Sequence, residues 1–206
     1  MIQLPSATAV NRIIPKDAFC KRLTLSRELK NKFVSEIKHI SVLNVINNKT
    51  MNLDDKEKDQ EEILLLAIDL KELDIDYQII ENVARQNKHK LVFLLRFENQ
   101  GQLAIYYSKI YKTVWESLND LHFGVNGFTL EEVWNSFIEQ VALQNEPVTL
   151  ADTYSIDDRL KRQETIKRLE KEIAKIESLA RAEKQPKKRF DLYSYTQELK
   201  RKLEVL

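Results

Sequence analysis

Apolar runs in the N-terminal part of the chain predict two buried strands. Residues 63–70 and 91–95 are almost unbroken apolar stretches, which is typical of strands covered on both faces. Between them, apolar residues recur at helical spacing over residues 77–84. We therefore predict that the strands over residues 63–71 and 91–97 are neighbours in one sheet, joined by a helix of crossover length.

Periodic stretches before and after these strands predict further elements. An apolar side chain recurs every three or four residues over residues 29–40, which predicts a helix capped by Ser26 and ending near residue 39. A strand over residues 42–46 is expected to follow. Another helix is predicted to begin at a capping box formed by Thr129 and Glu132, because an apolar stripe at helical spacing follows directly.

A hairpin completes the predicted sheet. Gly101 is expected to form the turn after the strand over residues 91–97, and the alternating residues 103–107 then form the returning strand. The resulting order is helix, strand, strand, helix, strand, strand, helix. This order is typical of an α+β (mixed α/β) fold with a sheet of about four strands and helices packed on it.

Residues 154–206 have a different pattern. Two apolar stripes there advance in alternating steps of three and four residues, as in a coiled coil. Pro186 separates them, because proline cannot continue a helix interior. We predict an antiparallel helical hairpin that follows an α/β domain over residues 1–153 and serves docking or self-association. The expected interaction residues are Ile166, Leu169, Ile173 and Ile176 in the first helix, and Leu192, Leu199 and Leu203 in the second.

Composition excludes several classes of protein. Cys20 is the one cysteine among 206 residues, so intrachain disulfides and cysteine-based zinc sites are excluded, and a cytoplasmic location is expected. No apolar run approaches the roughly 18 residues that a membrane span needs. The three histidines are not spaced along the sequence as zinc ligands are, so no metal site or cofactor is expected from them. The net charge of +1 hides an asymmetry, because residues 157–206 hold 15 Lys/Arg and 10 Asp/Glu and the preceding part is acidic.

Several short segments, taken in order, carry a family resemblance. They are Leu4-Pro5, residues 10–16, the apolar periodicity of residues 29–40, the strand end at residues 68–71, residues 103–107, 111–115 and 129–134, and the charged helical C-terminus. Together they resemble the bacterial and archaeal domain-of-unknown-function family 4391 over essentially the whole chain. The resemblance implies no activity. It implies a setting near DNA methyltransferases and helicases of restriction or phage-defence systems.

Asp69 and Lys71 are the sharpest catalytic candidates. They lie at the end of the buried strand, at a spacing that resembles the acid-x-lysine half of restriction-endonuclease-like nuclease motifs, in which a carboxylate holds a divalent metal ion and a lysine helps to activate water. Such a site needs a further acid, for which Asp54, Asp55 and Glu36 are candidates. The alternative is that Asp69 and Lys71 mark the point where a core strand reaches solvent.

Two stretches are candidates for nucleic-acid binding. Tyr107 and Tyr111 are interleaved with Lys109 and Lys112, a combination that allows base stacking and phosphate neutralisation, although aromatic residues also fill sheet–helix interfaces. The second stretch is the basic turn of the predicted hairpin, which is either a phosphate-binding surface or a solvated helical surface. Its cations are Lys184, Lys187, Lys188 and Arg189.

These observations favour a non-catalytic interaction or adaptor subunit over an enzyme. We expect an accessory protein of a DNA restriction or phage-defence assembly that binds a protein partner, such as a helicase or DNA methyltransferase, or a second copy of itself through the hairpin. The alternatives are a metal-dependent nuclease that uses Asp69, Lys71 and Asp55, and a nucleic-acid-binding accessory protein.

Overall fold

The structure is a computed structural model that describes residues 2–52, 61–144 and 154–205. The chain divides into two compact units, a body over residues 1–144 and a C-terminal unit over residues 145–206. The boundary predicted between residues 153 and 154 falls at the edge of a stretch outside the described residues. None of the helices in the described ranges combines the length and the apolar character that a bilayer crossing demands.

A mixed β-sheet forms the centre of the body. Neighbouring strands are antiparallel except β4 (Ile63–Leu70) and β5 (Lys90–Phe97), which are parallel, as expected for two strands joined by a helix. This pair confirms the predicted neighbouring buried strands, and the α+β architecture is confirmed with it. Across the sheet the order is β2 (Ala9–Ile14), β3 (Ile37–Ile46), β4 (Ile63–Leu70), β5 (Lys90–Phe97), β6 (Gln100–Tyr107) and β7 (Lys109–Lys112), with β8 (Glu116–Ser117) also paired to β6.

Short elements surround this sheet. A separate parallel pair joins β1 (Ile2–Gln3) to β9 (Phe123–Gly124), and a single 3-10 turn spans Ser6–Thr8. The helices of the body are α1 (Lys16–Lys21), α2 (Arg27–Glu36), α3 (Asn48–Met51), α4 (Tyr77–Arg85) and α5 (Leu130–Ala142).

Helices cover both faces of the sheet. On one face, Leu66 and Ile68 of β4 share a core with Phe33 of α2 and Ile80 of α4. The alternate residues of each strand point to the other face. There the Lys90 ammonium at the start of β5 lies 5.8 Å from the centroid of the Trp134 ring on α5. The sheet is therefore the middle layer of three, which explains why its central strands are apolar on both faces.

The prediction that residues 37–40 continue the preceding helix is wrong. Helix α2 ends at Glu36, and β3 begins at the next residue. Ile37 pairs with Leu70 and Ile40 with Ile68, with an irregular register between them. Because this bulge adds one residue, Ile37 and Ile40 face the same core although they are three positions apart. The bulge therefore imitates the spacing of a helix.

The prediction that Gly101 forms the hairpin turn is also wrong. The turn lies at residues 98 and 99, where Glu98 adopts a positive φ of 51°, and Gly101 belongs to β6. A Cβ at Gly101 would lie 2.6 Å from Leu118 Cδ2. The glycine thus packs closely against Leu118 within a strand and does not form the turn.

The C-terminal unit is a helical hairpin. Helix α6 (Ile156–Ala182) begins at an N-cap in which Ser155 Oγ accepts a hydrogen bond from the Asp158 N–H at 3.2 Å, and α7 (Pro186–Glu204) begins with proline in its first turn. Thr165 near the start of α6 and Val205 after the end of α7 line one cleft, so the helices run antiparallel. The predicted helical hairpin is present.

Candidate functional site

The carboxylate of Asp69 takes part in an ion pair within the sheet. Its Oδ1 accepts a hydrogen bond from Arg96 Nε at 2.7 Å, and both side chains are 31% exposed. Asp69 and Arg96 are directly opposite each other in the parallel β4–β5 register. The candidate metal ligand is thus already neutralised by a neighbouring cation.

The Lys71 ammonium contacts a different element. It donates to the Val34 carbonyl at 3.0 Å, and Lys16 donates to the same oxygen at 3.1 Å. Helix C-termini carry unpaired carbonyls and partial negative charge, so two ammonium groups stabilise the end of α2. Within the described residues, Asp69 pairs with Arg96 and Lys71 contacts the Val34 carbonyl, so no ion pair joins Asp69 to Lys71.

The additional acids proposed for a nuclease site are not brought to Asp69 in the described residues. Glu36 Oε2 accepts a hydrogen bond from the Asp76 N–H at 2.8 Å. Asp54 and Asp55 lie outside the described residues. Within residues 2–52, 61–144 and 154–205, no three His, Cys, Asp or Glu side chains form a group that could hold a metal ion.

The loop before α4 contains a further ion pair. Lys32 Nζ donates to Asp76 Oδ2 at 2.8 Å, and this hydrogen bond holds the pKa of Asp76 below its ordinary value. Asp76 Oδ1 also accepts from the Gln78 N–H at 3.0 Å as the N-cap of α4. The carboxylate therefore connects α2 to the start of α4.

The β6–β7 hairpin brings the two candidate tyrosines onto one face of the sheet. Tyr107 pairs with Lys109, and Tyr111 pairs with Ile105, so their side chains follow the same alternate positions. Both tyrosines are half-buried, and the Lys109 ammonium lies 5.1 Å from the centroid of the Tyr111 ring. Lys112 instead lies 3.4 Å from the ring centroid of Tyr77 on α4. The predicted tyrosine–lysine cluster is thus divided between two faces.

The hairpin seam is smaller than the predicted interaction stripe. Its buried core consists of Leu169, Ile173 and Leu199, with Leu203 packed against it. Ile166, Ile176 and Leu192 are half-buried.

Polar contacts flank this seam and shift two pKa values. Tyr195 Oη donates to Glu172 Oε1 at 2.8 Å, and this hydrogen bond raises the pKa of Tyr195. Lys200 Nζ lies 2.8 Å from Glu177 Oε1, and its hydrogen bond lowers the pKa of Glu177. Both pairs connect α6 to α7 across the seam.

The turn of the hairpin exposes aromatic and cationic side chains together. Phe190 is 70% exposed and Tyr193 is 46% exposed, although both belong to α7. Leu179 at the end of α6 is 49% exposed. The four cations predicted here, Lys184, Lys187, Lys188 and Arg189, are all exposed and have no ion pair within the described residues. We call these seven side chains the turn surface.

A cleft of about 690 Å³ lies in the body. Residues from β2, α1, β3 and the connection after α4 line it. Three of them are the cations Arg12, Arg22 and Lys88, and its apolar wall includes Phe19 and Val42. No Asp or Glu in the described part of the chain lines this cleft.

Comparison with known proteins identifies a family. The family described as Domain of unknown function (DUF4391) matches residues 2–203. The chain belongs to this family. No curated protein and no solved structure matches the chain. Membership of DUF4391 confirms the resemblance found in the sequence and assigns no reaction.

Two features of this DUF4391 protein were missed by sequence reasoning. Phe190 and Tyr193 had a detectable signal, because they are aromatic residues outside the apolar stripe of α7. The cations of the body cleft had none, since Arg12, Arg22 and Lys88 come from separate elements that only the fold brings together.

Proposed function

We propose that this protein is a non-catalytic interaction subunit that binds an acidic surface of a protein partner through the turn surface. The observation that carries the proposal is the exposure of Phe190 and Tyr193 on a helix whose seam residues are already covered. These two aromatic side chains are not needed to close the hairpin. Aromatic residues, including Phe and Tyr, are enriched at protein interfaces relative to the rest of the surface.

Charge and side-chain type support a protein partner. The four cations of the turn surface favour an acidic binding surface, and they are free to pair because no acid of the described residues engages them. Leu179 adds an exposed aliphatic side chain to the turn surface. Aliphatic side chains bury well against a protein but do not stack on bases in the way that aromatic rings do.

The setting that the family resemblance suggests belongs to the same proposal. We expect the partner to be a helicase or DNA methyltransferase in the cytoplasm, within a restriction or phage-defence assembly. Asp69 and Lys71 have structural contacts in this reading, since Arg96 pairs with the carboxylate and the Val34 carbonyl accepts from the ammonium.

Paired aromatic substitutions test the proposal. The full-length protein is used to isolate partners from its native host, and each candidate is then purified and measured for direct binding. The double variant Phe190→Ala/Tyr193→Ala should weaken direct binding at least about tenfold, since truncation of an interface anchor commonly costs 2 kcal/mol or more. The matched control is Phe128→Ala, because Phe128 is 87% exposed and lies in the body. It should bind like the wild type.

Three outcomes contradict the proposal. One is equal loss of binding in the control and the double variant. Another is a complex that disappears after nuclease treatment, which would favour the nucleic-acid-binding alternative. The third is a change in molar mass that depends on Phe190 and Tyr193 without any other protein, which would show that the turn surface joins two copies of this chain.

A further inference from the structure

The cleft in the body combines positive charge with an apolar wall. Arg12, Arg22 and Lys88 line it and are exposed, and none of them has an ion pair within the described residues. Among the described residues no Asp or Glu lines the cleft, and Glu62 Oε2 lies 3.6 Å from Nδ1 of the lining His89. A cavity lined by several cations that lack an ion pair attracts an anion.

The backbone of β2 turns Arg12 towards this cleft. Asn11 has a positive φ of 49°, and the β2–β3 register shifts between Ala9 and Arg12. After this bulge, Arg12 pairs with Val42, which packs against the core on the α2 and α4 face. Bulges commonly re-aim a side chain, and here the bulge places a guanidinium beside an apolar wall.

The other lining residues suit a partly apolar ligand. Phe19, Leu23 and Val42 supply apolar side chains, and Gln86 also lines the cleft. Gln86 Oε1 accepts from the Thr24 N–H at 2.6 Å, and its Nε2 donates to the Thr24 carbonyl at 3.1 Å. This reciprocal pair fixes the connection after α4 to the segment after α1. The wall is therefore formed before any ligand binds.

We propose that this cleft binds a nucleoside phosphate, either free or as one unit of a single-stranded nucleic acid. The phosphate contacts Arg12, Arg22 and Lys88, and the base lies against Phe19, Leu23 and Val42. Guanidinium groups form paired hydrogen bonds to phosphate oxygens, which suits two arginines in one cleft. Its volume of about 690 Å³ is within the roughly 300–1,000 Å³ of small-molecule sites.

Binding measurements on the full-length protein test this proposal with three probes at low ionic strength. The probes are ATP, inorganic tripolyphosphate and a short, fluorescently labelled single-stranded DNA. ATP should bind at least about tenfold more tightly than tripolyphosphate, because only ATP carries a base to bury against the apolar wall. Competition between ATP and the labelled DNA distinguishes the two sources of the ligand. Tighter binding of the DNA indicates a polymer, and tighter binding of ATP indicates a free nucleotide.

Charge reversal locates the site. The double variant Arg12→Glu/Arg22→Glu should bind ATP and DNA about a hundredfold more weakly, at roughly tenfold for each lost charged contact. The matched control is Lys30→Glu, since Lys30 is an exposed cation on α2 that does not line the cleft. It should change binding less than about twofold. Melting curves verify that each variant is folded.

Three results would overturn the proposal. The wild type binds neither ATP nor DNA, or tripolyphosphate binds as tightly as ATP, or Lys30→Glu weakens binding as much as the double variant. The turn surface is unchanged in all of these variants, so a failure here leaves the proposed partner interaction independently testable.

Discussion

Truncation of Leu199 measures how much one seam residue stabilises the hairpin. Leu199 is 3% exposed and packs with Leu169 and Ile173 in a core against which Leu203 also packs. A buried leucine replaced by alanine costs about 2–5 kcal/mol of folding free energy. A unit of this length is stabilised by roughly 3–9 kcal/mol, at about 0.05–0.15 kcal/mol per residue. We therefore expect Leu199→Ala to remove a large part of the hairpin's stability.

Hydrogen exchange in the full-length protein resolves this loss by position. A loss of about 2–5 kcal/mol should accelerate amide exchange in α6 and α7 by roughly 30- to 5,000-fold where exchange requires the hairpin to open. The body has its own core, so exchange in β4 and β5 should not change.

Leu179→Ala is the matched control for this experiment. It makes the same chemical change on α6 at a side chain that is 49% exposed, so it should accelerate exchange less than about fivefold. Equal protection in Leu199→Ala and Leu179→Ala would refute the assignment of the seam. Acceleration in the body as large as in the hairpin would refute the independence of the two cores.

Three further predictions concern the body. Asp69→Ala should lower the free energy of unfolding by about 1 kcal/mol, because the ion pair with Arg96 is lost. It should leave unchanged any metal-dependent DNA cleavage that accompanies the protein. Loss of that cleavage at an unchanged melting temperature would favour the nuclease hypothesis. The Lys32 hydrogen bond holds the pKa of Asp76 below its ordinary 3.8, so this pair stabilises the fold above that pH and the stabilisation disappears as the pH falls through the lowered pKa. Urea midpoints should therefore decline less below about pH 4 in Asp76→Asn than in the wild type, and parallel declines would contradict this account. Gly127→Ala should lower the free energy of unfolding in thermal melts by about 1–3 kcal/mol, because φ is 129° and the new Cβ would lie 2.7 Å from Glu132 Cβ. The control is Gly124→Ala, whose new Cβ would lie 3.6 Å from the Gln3 carbonyl oxygen. This control should melt near the wild-type temperature.

The sequence predicted the elements that are determined by the pattern of residues within a single segment. The apolar run of β4 and the apolar stripe of the hairpin each indicate burial from neighbouring residues alone, so both elements were predicted. The Thr129 cap of α5 was found for the same reason, because Thr129 Oγ1 accepts a hydrogen bond from the Glu132 N–H only three residues later. The other half of the predicted capping box is not formed, because the Glu132 carboxylate accepts a hydrogen bond from the Phe128 N–H and not from the Thr129 N–H.

Features that depend on pairing between distant segments were not predictable. The bulge in β3 gives Ile37 and Ile40 a helical spacing, and only the pairing with β4 shows that both belong to a strand. The charge partner of Asp69 is equally hidden, since Arg96 lies 27 positions later and meets it through strand register. Candidate catalytic residues at strand ends are thus hard to separate from structural ion pairs by sequence alone.

The order of strands in the sheet has a consequence for how the body forms. From β2 to β7 each strand pairs with the next one along the chain. Loop closure between successive strands is therefore short-range, which speeds folding. The sheet can grow one strand at a time while the chain leaves the ribosome, with each new strand covering the edge left by the previous one. The parallel pairing of Ile2 with Phe123 joins distant parts of the chain, so we expect it to form after the large sheet has assembled.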